Sequence, residues 1–172
     1  MATTTTDDPA AQARQAAAQA FGFVPNLIDE MATHNPAVAQ TYLTANGAIE
    51  DGVLSGAEQQ IVILAISAYN DCHYCTKAHA VAGAQAGLAE ETIDTILEGG
   101  LPSDDRQRAL VQATRRIASK RGWLSDEDLN EFDGLSVGRD AIYEIVTLIG
   151  IKTISNYVNH IAHTEVDPPF QP

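Results

Sequence analysis

At 172 residues the chain has the length of one ordinary domain and is long enough to bury a hydrophobic core. Ten basic against 23 acidic residues give a formal net charge of -13, the wrong sign for a protein whose main task is to neutralise phosphates, so nucleic acid is excluded as a principal partner. No run of about 18 apolar residues exists to span a membrane, and Met1 to Asp8 lacks the basic and apolar regions of a signal peptide. We therefore expect a cytoplasmic protein.

Helix signals follow one another through the first half of the chain. Asp8 and Pro9 form a cap and a first-turn proline, Asn35-Pro36 opens a later helix, and Ser55 with Glu58 has the spacing of a capping box. The apolar run 61–66 alone would also fit a buried strand, but the cap and the length favour a helix. The predicted helices are 9–20, 27–34, 36–49 and 55–69.

The second half continues in the same way. Asn70-Asp71 is predicted to cap a helix that ends near Gly87, and Ser125 with Asp128 repeats the capping-box pattern. The other predicted helices are 89–98, 104–120 and 138–163. The pattern predicts an all-α fold, a single helical domain of about eight or nine helices.

The chemistry is expected at the only two cysteines, Cys72 and Cys75, followed by His79 in the pattern C-x-x-C-x-x-x-H. In a reducing compartment, two cysteines at this spacing are expected to have a catalytic or metal-binding role rather than to form a permanent disulfide. Cys72 is expected in the first turn of its helix, where free backbone N–H groups lower the pKa of a thiol. His79 lies four residues after Cys75, so an imidazole is expected beside that sulfur as an acid–base partner.

These residues resemble the alkylhydroperoxidase D-like branch of the carboxymuconolactone decarboxylase family. The likeness covers roughly residues 21–167 and leaves a partly helical N-terminal segment, 1–20, and a C-terminal tail, 168–172. It rests on Val24-Pro25-Asn26, Leu54-Ser55, Ser67-Ala68-Tyr69-Asn70, the cysteine motif, Gly87-Leu88, and Asn156-Tyr157-Val158-Asn159-His160.

The resemblance implies an all-helical, cofactor-free thiol peroxidase that reduces organic hydroperoxides in antioxidant defence and assembles as trimers or hexamers. Cys75 would be the attacking thiolate, Cys72 the resolving thiol that closes a disulfide, and His79 part of a proton relay. A dithiol, such as a lipoyl-bearing or thioredoxin-like protein, would reset the pair.

One position departs from the family pattern. The glutamate that usually starts the relay falls on Gln60, which can form hydrogen bonds but cannot carry a proton at neutral pH. Glu58 is nearby but already has a place in the capping box, and Tyr74 stands where a histidine is common, with His73 beside it. His79 would thus lose its charged partner, and the proton would travel through Tyr74, His73 or water, or the peroxidase would be weak.

Three alternatives remain open from the sequence. The pair could serve as a disulfide-reducing adaptor for a peroxiredoxin. The chain could be a decarboxylase-like protein without strong peroxidase activity, although that branch lacks C-x-x-C. Finally, His160 and His163 could complete a zinc site with the two cysteines, but two intervening residues are fewer than the usual three to five, so we expect no metal and keep His160 as a supporting candidate.

Overall fold

The computed structural model describes residues 8–171, and this part of the chain consists of nine α-helices, one short 3₁₀ helix and no strand. The all-helical fold class is therefore confirmed. The prediction that Met1 to Asp8 is not a signal peptide concerns residues that, except for Asp8, lie outside the described part of the chain. The helices are α1 (Pro9–Phe21), α2 (Asn26–His34), α3 (Pro36–Ile49), α4 (Gly56–Tyr69), α5 (His73–Gln85), α6 (Glu90–Leu97), α7 (Asp105–Lys120), α8 (Asp126–Gly134) and α9 (Arg139–Ala162), with the 3₁₀ helix at Pro168–Phe170.

Local capping explains most of the helix starts. Asp8 accepts a hydrogen bond from the backbone of Ala10 at 3.0 Å, and both capping boxes form with reciprocal hydrogen bonds, at Ser55 and at Ser125. The box at Ser55 settles the ambiguous run 61–66, which is helical and buried along its whole length. This segment therefore forms a helix despite its strand propensity, because the capping box satisfies backbone N–H groups at the helix start and the apolar residues are buried on all sides.

The predicted cap of the cysteine helix is wrong. Asn70 and Asp71 do not cap α5; instead they end α4, with Asp71 in the left-handed conformation at φ 55°. The N–H of Cys72 donates to Ser67 O at 2.9 Å and that of Asp71 to Ala68 O at 3.0 Å, which is a Schellman ending. The chain reverses at once, so Cys72 itself is the N-cap of α5 and makes no side-chain capping hydrogen bond.

Two buried clusters organise the molecule. The larger surrounds α4 and draws apolar residues from α6, α7, α8 and α9. The smaller contains Cys72, Tyr74 and Cys75 and packs them against α1, α2, α3 and Ile151 of α9. Phe170 of the 3₁₀ helix also packs on the smaller cluster, so both ends of the described chain meet around the cysteines.

None of the helices in residues 8–171 combines the length and the apolar character needed to cross a bilayer.

Candidate redox site

Both cysteine sulfurs lie inside the protein as free thiols, each residue only 1% exposed. Asn159 Nδ2 donates to both, at 3.3 Å from Cys75 Sγ and 3.9 Å from Cys72 Sγ. Cys75 Sγ also lies 3.8 Å from Ser155 Oγ. Residues 152, 155, 156 and 159 repeat at three- and four-residue intervals, so one face of α9 is turned towards the start of α5.

The two thiols have opposite electrostatic environments. The pKa of Cys75 is lowered, first because the Cys72 thiol donates a hydrogen bond to it, and then because Lys152 is positively charged and Ser155 adds a hydrogen bond, all against the effect of burial. The pKa of Cys72 is raised because it keeps the proton that it donates to Cys75 and because it is buried. The thiolate of the pair is therefore Cys75.

His79 is held between an amide and an ammonium group. Its Nδ1 lies 2.9 Å from Gln60 Oε1, and its Nε2 lies 2.7 Å from Lys152 Nζ. Lys152, only 1% exposed, also donates to Tyr42 OH at 3.2 Å. Desolvation of the ring and the Lys152 charge hold the pKa of His79 well below its ordinary value. His79 is thus a neutral imidazole.

Lys152 keeps its charge despite its position. Burial by itself lowers the pKa of Lys152, but Tyr42 and the Cys75 thiolate more than offset this, so the pKa lies above its ordinary value. His79 therefore has a charged partner on the side of the ring away from Gln60, but this partner is an ammonium group, opposite in sign to the carboxylate that the family pattern leads one to expect. An ammonium next to a thiolate and a neutral imidazole can hold and move a proton.

Sequence reasoning missed Lys152, together with Tyr42, Ser155 and Asn159 as contacts of the site. A signal for the lysine does exist: it is the only charged residue between positions 145 and 159, in an otherwise apolar and neutral stretch of the sequence. A lysine in such a stretch is buried only with partners, which makes it a candidate for a functional role.

A cavity of about 450 Å³ leads to Cys75. His79 and Lys152 are also part of its wall, whereas Cys72 is not, and among residues 8–171 no carboxylate lines it. Aromatic and aliphatic side chains make up most of the remainder, among them Phe21, Phe23, Leu27, Ile28, Val81 and Phe170. The cavity has the size and character of a site for a small organic molecule.

Tyr74 serves the C-terminal segment. Its hydroxyl donates to Asp167 Oδ2, and its ring meets Phe170 edge-on with centroids 6.1 Å apart. Asp167 accepts a second hydrogen bond from the backbone of Asn26 at 3.1 Å. Burial and Asp167 raise the pKa of Tyr74, so its phenol stays protonated.

The remaining candidates lie elsewhere. Glu58 completes the capping box and forms an ion pair with Arg106 at 2.7 Å; these hydrogen bonds outweigh its partial burial and lower its pKa. His73 is exposed at the first residue of α5, and His160 is exposed with its ring stacked on Tyr157. None of the three candidates lines the cavity.

The zinc arrangement of Cys72, Cys75, His160 and His163 is not formed. Within residues 8–171 no group of three or more histidine, cysteine, aspartate or glutamate side chains is placed to hold a metal ion.

Comparison with known proteins agrees with this architecture. Residues 36–116 match the carboxymuconolactone decarboxylase family, while no curated protein sequence matches the chain. An uncharacterized peroxidase-related protein from Ralstonia eutropha JMP134, with an alkylhydroperoxidase AhpD core, superimposes with a TM-score of 0.83 at 21% identity over 95% of this chain and 87% of its own. A peroxidase-related protein from Silicibacter sp. TM1040 gives 0.82 at 18% identity over 96% and 88% of the two chains.

The fold also occurs in another kind of enzyme. A cysteine-to-alanine variant of the debrominase Bmp8, in complex with 2,3,4-tribromopyrrole, superimposes with a TM-score of 0.77 at 16% identity over 99% of this chain and 91% of its own. Residues 36–116 of this chain are thus similar to the carboxymuconolactone decarboxylase family, and the described residues have the alkylhydroperoxidase D-like fold.

Proposed function

We propose that the protein is a thiol-dependent reductase of organic hydroperoxides, with Cys75 as the attacking thiolate and Cys72 as the resolving thiol. The observation that carries the proposal is the asymmetry of the pair: Cys75 lines the cavity and has the lowered pKa, while Cys72 lies behind it with its proton retained. A nucleophile that faces the substrate and a resolving thiol beside it are what a peroxide cycle through a sulfenic acid requires.

Burial of both sulfurs favours an enzyme acting on a small molecule over a disulfide-reducing adaptor. An adaptor presents its attacking sulfur to the disulfide of another protein, whereas here both cysteines are 1% exposed and are approached through an apolar cavity. The resetting reductant must accordingly reach into the cavity, which suits the slender arm of a lipoyl group better than a bulky protein surface.

The proposal includes a cytoplasmic setting, where both thiols stay reduced, and a homo-oligomer. Along the outer face of α9, Tyr143, Val146, Tyr157 and Ile161 are exposed, which supports an oligomer that covers this helix.

The test is a thiol titration after the reduced protein meets one equivalent of cumene hydroperoxide. Wild type is expected to lose two thiols per chain, Cys72→Ser to accumulate a sulfenic acid, and Cys75→Ser to lose none. Both thiols remaining free in wild type would refute the proposal. A parallel reaction with 2,3,4-tribromopyrrole separates it from a debrominase activity: bromide release with unreacted hydroperoxide would favour the latter.

A further inference from the structure

We propose that Lys152, and not His79, is the acid that protonates the oxygen leaving from the hydroperoxide; this inference rests on the proposed function. Lys152 and Cys75 both line the cavity, so a hydroperoxide bound there meets both side chains. The ammonium group is fixed there by His79 Nε2 at 2.7 Å and Tyr42 OH at 3.2 Å.

The hydrogen-bond chain determines which group has a proton to give. An ammonium group only donates, so His79 Nε2 must be the acceptor and the ring proton must sit on Nδ1. That proton is directed at Gln60 Oε1, 2.9 Å away. The neutral ring therefore presents no proton to the cavity. His79 is a positioning residue that orients Lys152, and Gln60 holds its tautomer.

The negative charge on Cys75 controls when Lys152 releases its proton. In the resting state, the Cys75 thiolate is one of the charges that keep the pKa of Lys152 high in spite of burial. Once the sulfur binds oxygen that negative charge is gone, the described part of the chain brings no carboxylate to the cavity wall to replace it, and burial makes the ammonium a stronger acid. This happens as the alkoxide leaves and needs a proton.

The steps balance. The Cys75 thiolate attacks the terminal oxygen of R–O–OH; the S–O bond forms, the O–O bond breaks, and the electron pair departs with RO⁻, which takes a proton from Lys152 and leaves as ROH. The Cys72 thiol then attacks the sulfenic acid, forming the disulfide and releasing water. An external dithiol reduces the disulfide, and the proton of the re-formed Cys75 thiol returns to Lys152.

The experiment compares two reagents that differ in their need for a proton. Iodoacetamide alkylates a thiolate and expels iodide, which needs none, whereas cumene hydroperoxide expels an alkoxide. Lys152→Arg keeps the charge but has almost no proton to give, because a guanidinium is a much weaker acid than an ammonium group. We expect this variant to be alkylated by iodoacetamide nearly as fast as wild type and to react with hydroperoxide about 10²-fold more slowly than wild type. Lys152→Met should slow both, and Lys77→Arg, on the exposed side of α5, neither.

A second variant tests the inference independently if the larger arginine prevents the Lys152→Arg protein from folding. Lys152→Ala leaves space for a small amine, so ethylammonium should restore the hydroperoxide rate, whereas tetramethylammonium, which has charge but no transferable proton, should not. Equal rescue by both ions, no rescue by ethylammonium, or a Lys152→Arg variant that falls equally with both reagents would overturn the inference. Wild type that reacts with iodoacetamide but not with hydroperoxide would instead overturn the proposed function and the inference together.

Discussion

Removal of one phenolic hydroxyl tests whether Tyr74 is a structural anchor or a proton carrier. In Tyr74→Phe the ring is kept, but Asp167 loses a buried hydrogen bond and retains only its contacts with the backbone of Asn26. Hydrogen bonds to charged groups contribute about 1.5–3 kcal/mol, and removing the donor leaves a carboxylate oxygen without its partner. For a chain of this size, this loss corresponds to a decrease of roughly 3–12 °C in the Tm.

The assay pairs thermal unfolding with the rate of reaction with cumene hydroperoxide. Tyr69→Phe is the matched control, because its side chain is 50% exposed and lies outside the cavity. We expect a lower Tm for Tyr74→Phe alone and an unchanged reaction rate, since no hydrogen bond joins Tyr74 to Cys75, His79 or Lys152. A slower reaction at an unchanged Tm would mean that protons pass through Tyr74 and would refute this reasoning.

Three further predictions concern the thiolate and its neighbours. Asn159→Leu removes the donor 3.3 Å from Cys75 Sγ and should raise the pKa of that thiol by about one unit, seen as a shifted pH profile of iodoacetamide alkylation; Asn130→Leu, on the surface, should leave the profile in place. Gln60→Glu puts a carboxylate next to His79 Nδ1, which favours a protonated ring and so adds a proton donor beside Lys152, and it should raise the hydroperoxide rate; an unchanged or lower rate would mean that the proton takes another route. The free energy of unfolding of the reduced protein should rise with pH from about 7 to about 8, because the unfolded chain still holds the Cys75 proton there while the folded chain has released it; a Cys75→Ser variant with the same slope in urea unfolding would contradict this.

Much of the fold follows from local rules that the sequence displays. The capping boxes at Ser55 and Ser125, and the Asp8 cap, predict where helices begin because their hydrogen bonds join residues two or three positions apart. The wrong prediction of a cap at α5 also came from a local rule, because the two polar residues 70–71 are equally suited to ending one helix or starting the next. Only the close packing of α4 against α5 decides that they end α4.

The sequence by itself determined that this protein is helical, that its thiols lie three residues apart at a helix start, and that Gln60 stands where a glutamate is expected. Only the tertiary structure decided that Cys75 faces the cavity and that Lys152, 73 positions after His79, places an ammonium group beside the imidazole. The physical reason is that helix caps and periodicity are short-range effects, whereas the pKa of a thiol depends on which charges and donors the packing of distant helices brings within a few ångströms.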